Sequence, residues 1–375
     1  MNQQVFFGYN TISNLEQIII DNGYNNIFLV VDKKSYSFCG AEKAINKILQ
    51  KRNVFVFNDY EINPHLNDVN KGIDAIKKGD FDCLIAVGGG TAIDMAKLVN
   101  ILSNQKDNPQ LIIRNEAKIT NKGRPLIVIP TTAGTGSEAT HFAVVYIDKT
   151  KYSLAHQYVL PVYAIIDPTF TLSMPPLVTA STGFDALSQG IESLWSVNST
   201  KESLAYSTEA INIALSNLKS AVLYPDKENR KNMAYSAHLA GKAINITKTT
   251  APHALSYYFT SFHNISHGHA VGLTLGKFIK YNSRVTETDV ADKRGVNFVH
   301  DIINKLCKIL SVPSPEAAEE KIERLMNDIG LETEYKKLGI NIDEEIDAII
   351  KSINLERLKN NPRQVTCESL KIMFQ

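Results

Sequence analysis

The sequence predicts an α/β N-terminal dinucleotide-binding domain, built on a Rossmann-like parallel sheet, followed by an all-α C-terminal domain. Three observations carry that prediction. Apolar β-branched runs alternate with segments of helical period through the first half. Strand-like runs nearly vanish beyond residue 176. Pro168, Pro175 and Pro176 punctuate the change, which sets domains of residues 1–175 and 176–375.

Taken in order, Ser13 and Glu16 have the spacing of a capping box opening a helix over 14–22. Strands are expected at Asn26–Asp32, Val54–Phe57, Cys83–Val87 and Leu126–Ile129. Between them, Ala41–Gln50 and Leu66–Lys78 read as helices, with Gly79 as the stop of the second. Short buried strands alternating with helices indicate a mainly parallel, doubly wound sheet. In the second half, helical pattern covers Ala180–Trp195, Lys201–Lys219, Lys227–Ile246, His267–Tyr281 and Val290–Leu310. Ser314-Pro315 then starts a further helix that stops at Gly330.

Composition narrows the function. The 375 residues carry 40 Lys+Arg against 39 Asp+Glu and are 44% hydrophobic, which excludes a disordered chain and argues against a nucleic-acid binder. No apolar run approaches the roughly 20 residues that span a bilayer, and MNQQVFFGYN lacks the regions of a signal peptide. Cys39, Cys83, Cys307 and Cys367 are scattered without framework spacing, as in a reduced cytoplasmic protein.

Five segments could carry chemistry. VGGGTAIDMAK, residues 87–97, follows a strand directly. Its glycines admit close backbone approach, and the following helix presents free N–H groups suited to a pyrophosphate. It reads equally as a tight turn, with Thr91 and Asp94 as a capping box and Asp94/Lys97 as a surface pair. PTTAGTGSE, residues 130–138, offers hydroxyls and little bulk, as at the rim of a phosphate or nicotinamide site, or in a flexible loop. Asp32 ends an early strand, where a carboxylate can accept ribose hydroxyls or simply serve a turn. Asp185 and Gln189 share one helix face, with Glu192 a turn later; they line an internal cleft or form a satisfied buried pair. Finally, residues 249–272 hold His253, His263, His267 and His269, a density that suits a divalent metal, with Asp185 as the natural carboxylate.

In this order the segments resemble the iron-containing (type III) alcohol dehydrogenase family. GGGTAIDMAK is similar to the family's GGGSxxDxAK, PTTAGTGSE matches it nearly letter for letter, and FDALSQ and APH…SHG resemble its metal-site segments. The resemblance implies an NAD(P)-dependent oxidoreductase acting on CH–OH, with an α/β cofactor domain and a helical metal domain. Gly88, Gly89, Gly90 and Thr91 then hold the pyrophosphate. Thr131, Thr132 and Ser137 serve phosphate and nicotinamide, with Asp94 nearby, and Asp32 favours NAD(H) over NADP(H). Asp185, His253 and His267 match three ligands of one divalent metal, Fe²⁺ or Zn²⁺. Gln189 stands where the family has a third histidine, which implies looser binding.

SLAHQYVLP, DALSQGIESLWSVNST and KTTAPHALSYYFTSFHNISHGHA (residues 248–270) resemble the phosphonoacetaldehyde reductase branch in particular. That implies reduction of phosphonoacetaldehyde to 2-hydroxyethylphosphonate in phosphonate biosynthesis. The anionic substrate needs cationic or hydroxyl partners, with Lys248 first, then Lys151, Ser153 and His156. His263 is the proton-relay candidate. The expected partners are this small substrate and a second copy of the chain in a homodimer, with no nucleic acid or membrane. Competing expectations are a reductase of lactaldehyde, butyraldehyde or 3-hydroxypropionaldehyde, a dehydroquinate-synthase-like lyase, and a nucleotide sensor that has lost its metal.

Overall fold

A computed structural model describes residues 3–148, 150–353 and 355–374. It divides into two compact units, Met1–Met174 and Pro175–Gln375.

The first unit contains strands β1 (Gln4–Phe7), β2 (Asn26–Val31), β3 (Asn53–Phe57), β4 (Cys83–Gly88), β5 (Leu126–Pro130), β6 (Phe142–Ile147), β7 (Thr150–Ala155) and β8 (Tyr163–Ile166). Its helices are α1 (Asn14–Asp21), α2 (Lys33–Phe38), α3 (Ala41–Leu49), α4 (Leu66–Ile76), α5 (Gly90–Leu102) and α6 (Pro109–Ile113). Six strands form one parallel sheet in the order β1-β8-β5-β4-β2-β3, and β6 and β7 make a separate antiparallel hairpin.

Alternation along the strands explains why the central runs are apolar throughout. Phe28, Val30, Leu84, Ala86 and Val128 enter one core with α4 and α5. Ile27, Leu29, Val31, Ile85, Val87, Ile127 and Ile129 enter another with α1 and α3. A sheet covered on both faces demands apolar residues at every position. From β2 the chain steps outward to β3 and then crosses back to β4, so strand order reverses between β2 and β4. Ligands of such sheets bind at that switch point, beyond the carboxyl ends of the strands. Asp32 and Gly88 stand there.

Some sequence expectations need correction. Helix α1 forms, but Ser13 makes no side-chain cap bond. Helix α4 ends at Ile76, before Gly79, because Lys77 already closes it through bonds to Ile73 and Ala75 carbonyls. Val290 precedes its helix and bridges to Arg363 instead.

The second unit is helical: α7 (Pro176–Trp195), α8 (Lys201–Leu223), α9 (Lys227–Thr247), α10 (Ala251–His263), α11 (His267–Ser283), α12 (Val296–Ile309), α13 (Pro315–Asp328), α14 (Ile342–Lys351), α15 (Leu355–Leu358) and α16 (Cys367–Phe374). Helix α7 packs against α8, α9, α11 and α12 and is buried almost all round. Its polar residues are therefore informative, since a buried polar group needs a partner. Among the described residues, no helix is long and apolar enough to cross a membrane.

Candidate active site

In the first unit the three-glycine turn meets the PTTAGTGSE loop. Gly88 has φ 154°, and a Cβ there would lie 2.7 Å from Ala92 Cβ and 3.3 Å from Asp32 Cβ. A Cβ on Gly90 would meet Thr135 at 2.7 Å, and one on Gly89 would meet Thr132 at 3.3 Å. The glycines thus bring two loops and Asp32 together at the switch point. Helix α5 begins at Gly90 with Gly89 as its cap and no side-chain cap bond. Thr91 is inside the helix rather than its cap, so the Thr91/Asp94 capping box does not form. Thr131 Oγ1 is buried without a hydrogen-bond partner. Uncapped N–H groups at a helix start and an orphaned buried hydroxyl fit an oxygen-rich anionic cofactor. Asp32 caps α2 by accepting the Ser35 N–H at 2.7 Å.

The structure overturns the surface-pair reading of Asp94 and Lys97. Lys97 is 1% exposed, and its Nζ donates to the Ser137, Thr140 and Phe142 carbonyls at 2.6, 2.8 and 2.9 Å. Burial lowers its pKa to about 8, against the pull of Asp94 and Glu138. Asp94 accepts the Ser137 hydroxyl and the Val144 N–H, and burial raises its pKa against the pull of Lys97. Ser137 is therefore engaged in fixing the loop. Asp94 does the same work. Their helical face points inward because Ile93, Met95, Ala96 and Leu98 around them are all core.

In the second unit, α7 supplies Asp185, Gln189 and Glu192 from one face, all at most 3% exposed. Asp185, His253 and His267 bring one ligand atom each within 4.8 Å of one another, the one such group of three among the described residues. His253 Nε2 lies 3.2 Å from Asp185 Oδ1. Gln189 hydrogen-bonds Asp185 through its side chain, while its buried Oε1 accepts no hydrogen bond. Burial raises the Asp185 pKa, but the His253 hydrogen bond and the charges of His267 and His253 outweigh it and hold the carboxyl low. Burial opposes a charged His253 ring, yet Glu192 and Asp185 lift its pKa to about 9. Two imidazoles, a carboxylate and an amide oxygen form a donor set suited to Fe²⁺ or Zn²⁺.

Glu192 organises this cluster, a role its position in the sequence did not disclose. One carboxylate oxygen accepts the Thr250 N–H and hydroxyl, both at 2.8 Å, and so caps α10 from another helix. The other oxygen contacts His253 Nδ1. That contact leaves Nε2 for a ligand and fixes the ring. Gly268 sets the approach of α11, since a Cβ there would lie 1.9 Å from the Ser181 carbonyl oxygen. Gly268 thereby delivers His267 to Asp185. The Tyr257 ring stacks on His267, with centroids 6.3 Å apart.

Other candidates lie elsewhere. His263 closes α10, ten residues and about 15 Å of helix rise from His253. It pairs with Glu345 at 2.6 Å, which removes the basis for a proton relay: the helix breaks at Asn264, so the four-residue spacing to His267 is not a helical turn. His269 bonds the Glu332 carbonyl at 2.6 Å, and burial lowers its pKa. Lys248 is exposed at the end of α9 with φ 58°. In the first unit, Lys151 on β7 acts electrostatically on Asp94. Ser153, also on β7, stands opposite Val144 of β6, and His156 Nδ1 accepts the Tyr158 N–H.

Parallel sheet, switch-point glycines and a buried histidine–carboxylate group suit an enzyme that uses a nucleotide cofactor and a divalent metal, and the family matches make it an oxidoreductase acting on CH–OH. Residues 2–168 match the iron-containing alcohol dehydrogenase model, and residues 179–375 match its C-terminal counterpart. The chain belongs to the iron-containing alcohol dehydrogenase family. Long-chain-alcohol dehydrogenase 1 of Geobacillus thermodenitrificans is 30% identical over 89% of this chain and 84% of that protein. Phosphonoacetaldehyde reductase of Streptomyces viridochromogenes is 33% identical over 77% of this chain and 74% of its own. Among solved structures, sulfoacetaldehyde reductase of Bifidobacterium kashiwanohense in complex with NAD⁺ is similar with a TM-score of 0.87 and 29% identity. That likeness covers 99% of this chain and 96% of that one.

Proposed function

We propose that the protein reduces phosphonoacetaldehyde to 2-hydroxyethylphosphonate, using NADH and one divalent metal. The observation that carries a metal-dependent carbonyl reduction is the convergence of Asp185, His253 and His267, with His253 held by Glu192. The substrate rests on likeness. Two relatives, the phosphonoacetaldehyde and sulfoacetaldehyde reductases, carry names that describe two-carbon aldehydes bearing a tetrahedral oxyanion.

When bound, the nicotinamide supplies hydride and the cation draws charge from the carbonyl oxygen. Asp185, His253, His267 and Gln189 would hold the cation. Glu192 keeps the His253 ring in one orientation, so that reorganisation does not accompany the reaction. Gly88, Gly89, Gly90 and Thr91 would hold the pyrophosphate, and Thr131 and Thr132 the groups beyond it. Lys97 keeps the PTTAGTGSE loop in the shape this requires. Asp32 supports NAD(H) over NADP(H), because its carboxylate accepts ribose hydroxyls and repels a 2′-phosphate. Lys248 and Lys151 remain cations for the substrate or cofactor on this reading, which extends to a cytoplasmic homodimer. The four cysteines are free, in keeping with a reducing compartment.

The test is NADH oxidation by metal-loaded protein with phosphonoacetaldehyde and a panel of uncharged aldehydes. A kcat/KM for the phosphonate well above the panel is expected. Comparable values across the panel would favour a reductase of another small aldehyde.

A further inference from the structure

The parallel sheet of the first unit ends at β3, and among the described residues no strand pairs with the outer edge of β3. Its sequence, NVFVF, is apolar after Asn53. Val54, Phe55 and Val56 are 36, 43 and 47% exposed. Phe55 stacks on the Phe28 ring, with centroids 5.3 Å apart, which fixes it to one face of the sheet. Edge strands that stay unpaired are blunted by a lysine, a proline or a bulge. Strand β3 has neither lysine nor proline, and its register with β2 runs unbroken from Asn53 to Phe57. Asn53 donates its N–H to the Asn25 carbonyl at 2.8 Å. Peptide groups alternate in direction along a strand, so Asn53, Phe55 and Phe57 bond β2, and Val54 and Val56 direct their N–H and C=O groups outward.

We propose that this edge pairs antiparallel with the same edge of a second copy of the chain, about a two-fold axis at Phe55. Such pairing gives the expected homodimer a surface and depends on neither the aldehyde nor the metal. With Phe55 opposite its own symmetry mate, Val54 faces Val56 of the second copy, and each such pair exchanges both N–H···O=C bonds. The outward groups of Val54 and Val56 are then all satisfied. A one-residue slip sets outward groups against inward ones and loses every bond. Charge selects between this register and a two-residue slip. Continued two residues beyond each end of β3, the pairing brings Lys51 opposite Asp59 of the second copy, and the two-fold repeats that contact. The Asp59 side chain is 78% exposed, with Lys71 at 3.5 Å, and is open to a second cation. A two-residue slip keeps the backbone bonds but separates Lys51 from Asp59. The Phe55 side chains meet in a non-hydrogen-bonded pair, where cross-strand aromatic contact is closest. A strand pair this short buries less than the roughly 1,200 Å² of a stable interface, so association weakens with dilution and with salt.

The experiment follows full-length protein by sedimentation across micromolar concentrations, at low and high salt. Val56→Pro deletes an outward N–H and leaves the bonds to β2 intact, since proline is tolerated where an edge strand faces solvent. Its dimer dissociation constant should rise about 10-fold or more, because the two-fold removes that bond twice. Thermal midpoint and NADH oxidation should stay near native. Lys51→Glu and Asp59→Lys should each weaken the dimer, and the double variant should recover it. Phe55→Cys should form an intermolecular disulfide on mild oxidation, because Cα atoms about 4.5 Å apart lie within disulfide reach. Native protein, with its exposed Cys367, supplies the background. Val5→Cys, on β1 at the opposite edge of the sheet, should not cross-link. A native protein that stays monomeric overturns the proposal, as does a cross-link at Val5 without one at Phe55. Native association by a folded Val56→Pro protein also overturns it. If Val56→Pro does not fold, the charge-reversal pair decides, and a double variant as weak as its parents overturns the register. Failure of the phosphonate assay would leave each of these outcomes unchanged, so the substrate reading and this interface fall separately.

Discussion

Replacing Gly268 with alanine tests the candidate metal site without changing the identity of any residue that would hold the ion. Gly268 follows His267 at the start of α11, where that helix crosses α7. An added Cβ would lie 1.9 Å from the Ser181 carbonyl oxygen, 2.8 Å from Asp185 Cβ and 2.9 Å from Asp185 N. Three of its neighbours are thus closer than the 3.0 Å that real Cβ contacts respect, and two are backbone atoms that cannot rotate away. The start of α11 must withdraw by about 1 Å, and it withdraws directly from Asp185. Metal–ligand bonds tolerate deviations of only about 0.2 Å. Overpacking of this kind costs about 1–3 kcal/mol of stability. The larger expected effect is on the metal, with dissociation constants for Fe²⁺ or Zn²⁺ raised about 100-fold or more. Calorimetric titration of metal-free protein, beside a thermal melt, reads both quantities. Gly276→Ala is the control. It lies on the same helix, two turns on, and its Cβ would meet Glu319 Cα at 3.1 Å, far from the histidines. It should lower the melting temperature and leave metal affinity unchanged. Native-like metal binding by a folded Gly268→Ala protein would refute the argument that this close approach delivers His267.

Four further outcomes follow from the same contacts. Glu192→Gln should weaken metal binding about 10- to 100-fold, since it disturbs the partner that orients His253; competition with a chelator of known affinity measures it. Gln189→His should tighten binding by about an order of magnitude, because imidazole is a stronger ligand than an amide oxygen; unchanged affinity would show that residue 189 does not ligate. Lys97→Met leaves the Ser137, Thr140 and Phe142 carbonyls without their buried donor, so urea unfolding should show a loss of about 3 kcal/mol or more, and NADH titration a weaker cofactor site. Asp82 accepts the Asn25 and Asn26 N–H groups at 2.7 and 2.8 Å, and these bonds hold its pKa below the ordinary value of 3.8. Its native pKa being depressed, it stabilises the fold above about pH 4 and loses that contribution as pH falls through the native value. The gap in urea midpoint between native protein and Asp82→Asn should therefore narrow on acidification below about pH 4, and a gap that does not narrow at all would contradict the linkage.

The fold class was legible in the sequence because its signals are local. Continuous apolar runs such as NIFLVV and CLIAV report strands buried on both faces, and the two cores then divide odd from even residues. Proline and glycine punctuation marked helix ends well at Pro315 and Gly330, and less well at Gly79, where the chain closed the helix earlier. Strands β1, β6, β7 and β8 went unread: QVFF and YAII are runs of only four residues, and FAVVYI, TKYSLA and YAII follow one another without the intervening α-helices that mark the other strands.

The residues of the candidate site were legible as an inventory, while their arrangement was not. Four histidines within 17 residues suggest a metal, but spacing along the chain does not say which of them converge. Helix α10 carries His253 and His263 to opposite ends, and the break after Asn264 lets α11 return His267 to Asp185. Asp94 and Lys97 have the spacing of a surface pair in any helix. Only the packing of α5 against β6 and the 137–142 segment turns them inward. Glu192 gains its meaning from a partner 58 residues away. By itself, the sequence determined periodicity, punctuation and the supply of donor groups, because each depends on residues within a few turns. Which donors meet was decided by tertiary structure, because that depends on how closely helices approach. At Gly268, the absence of one methyl group sets that distance.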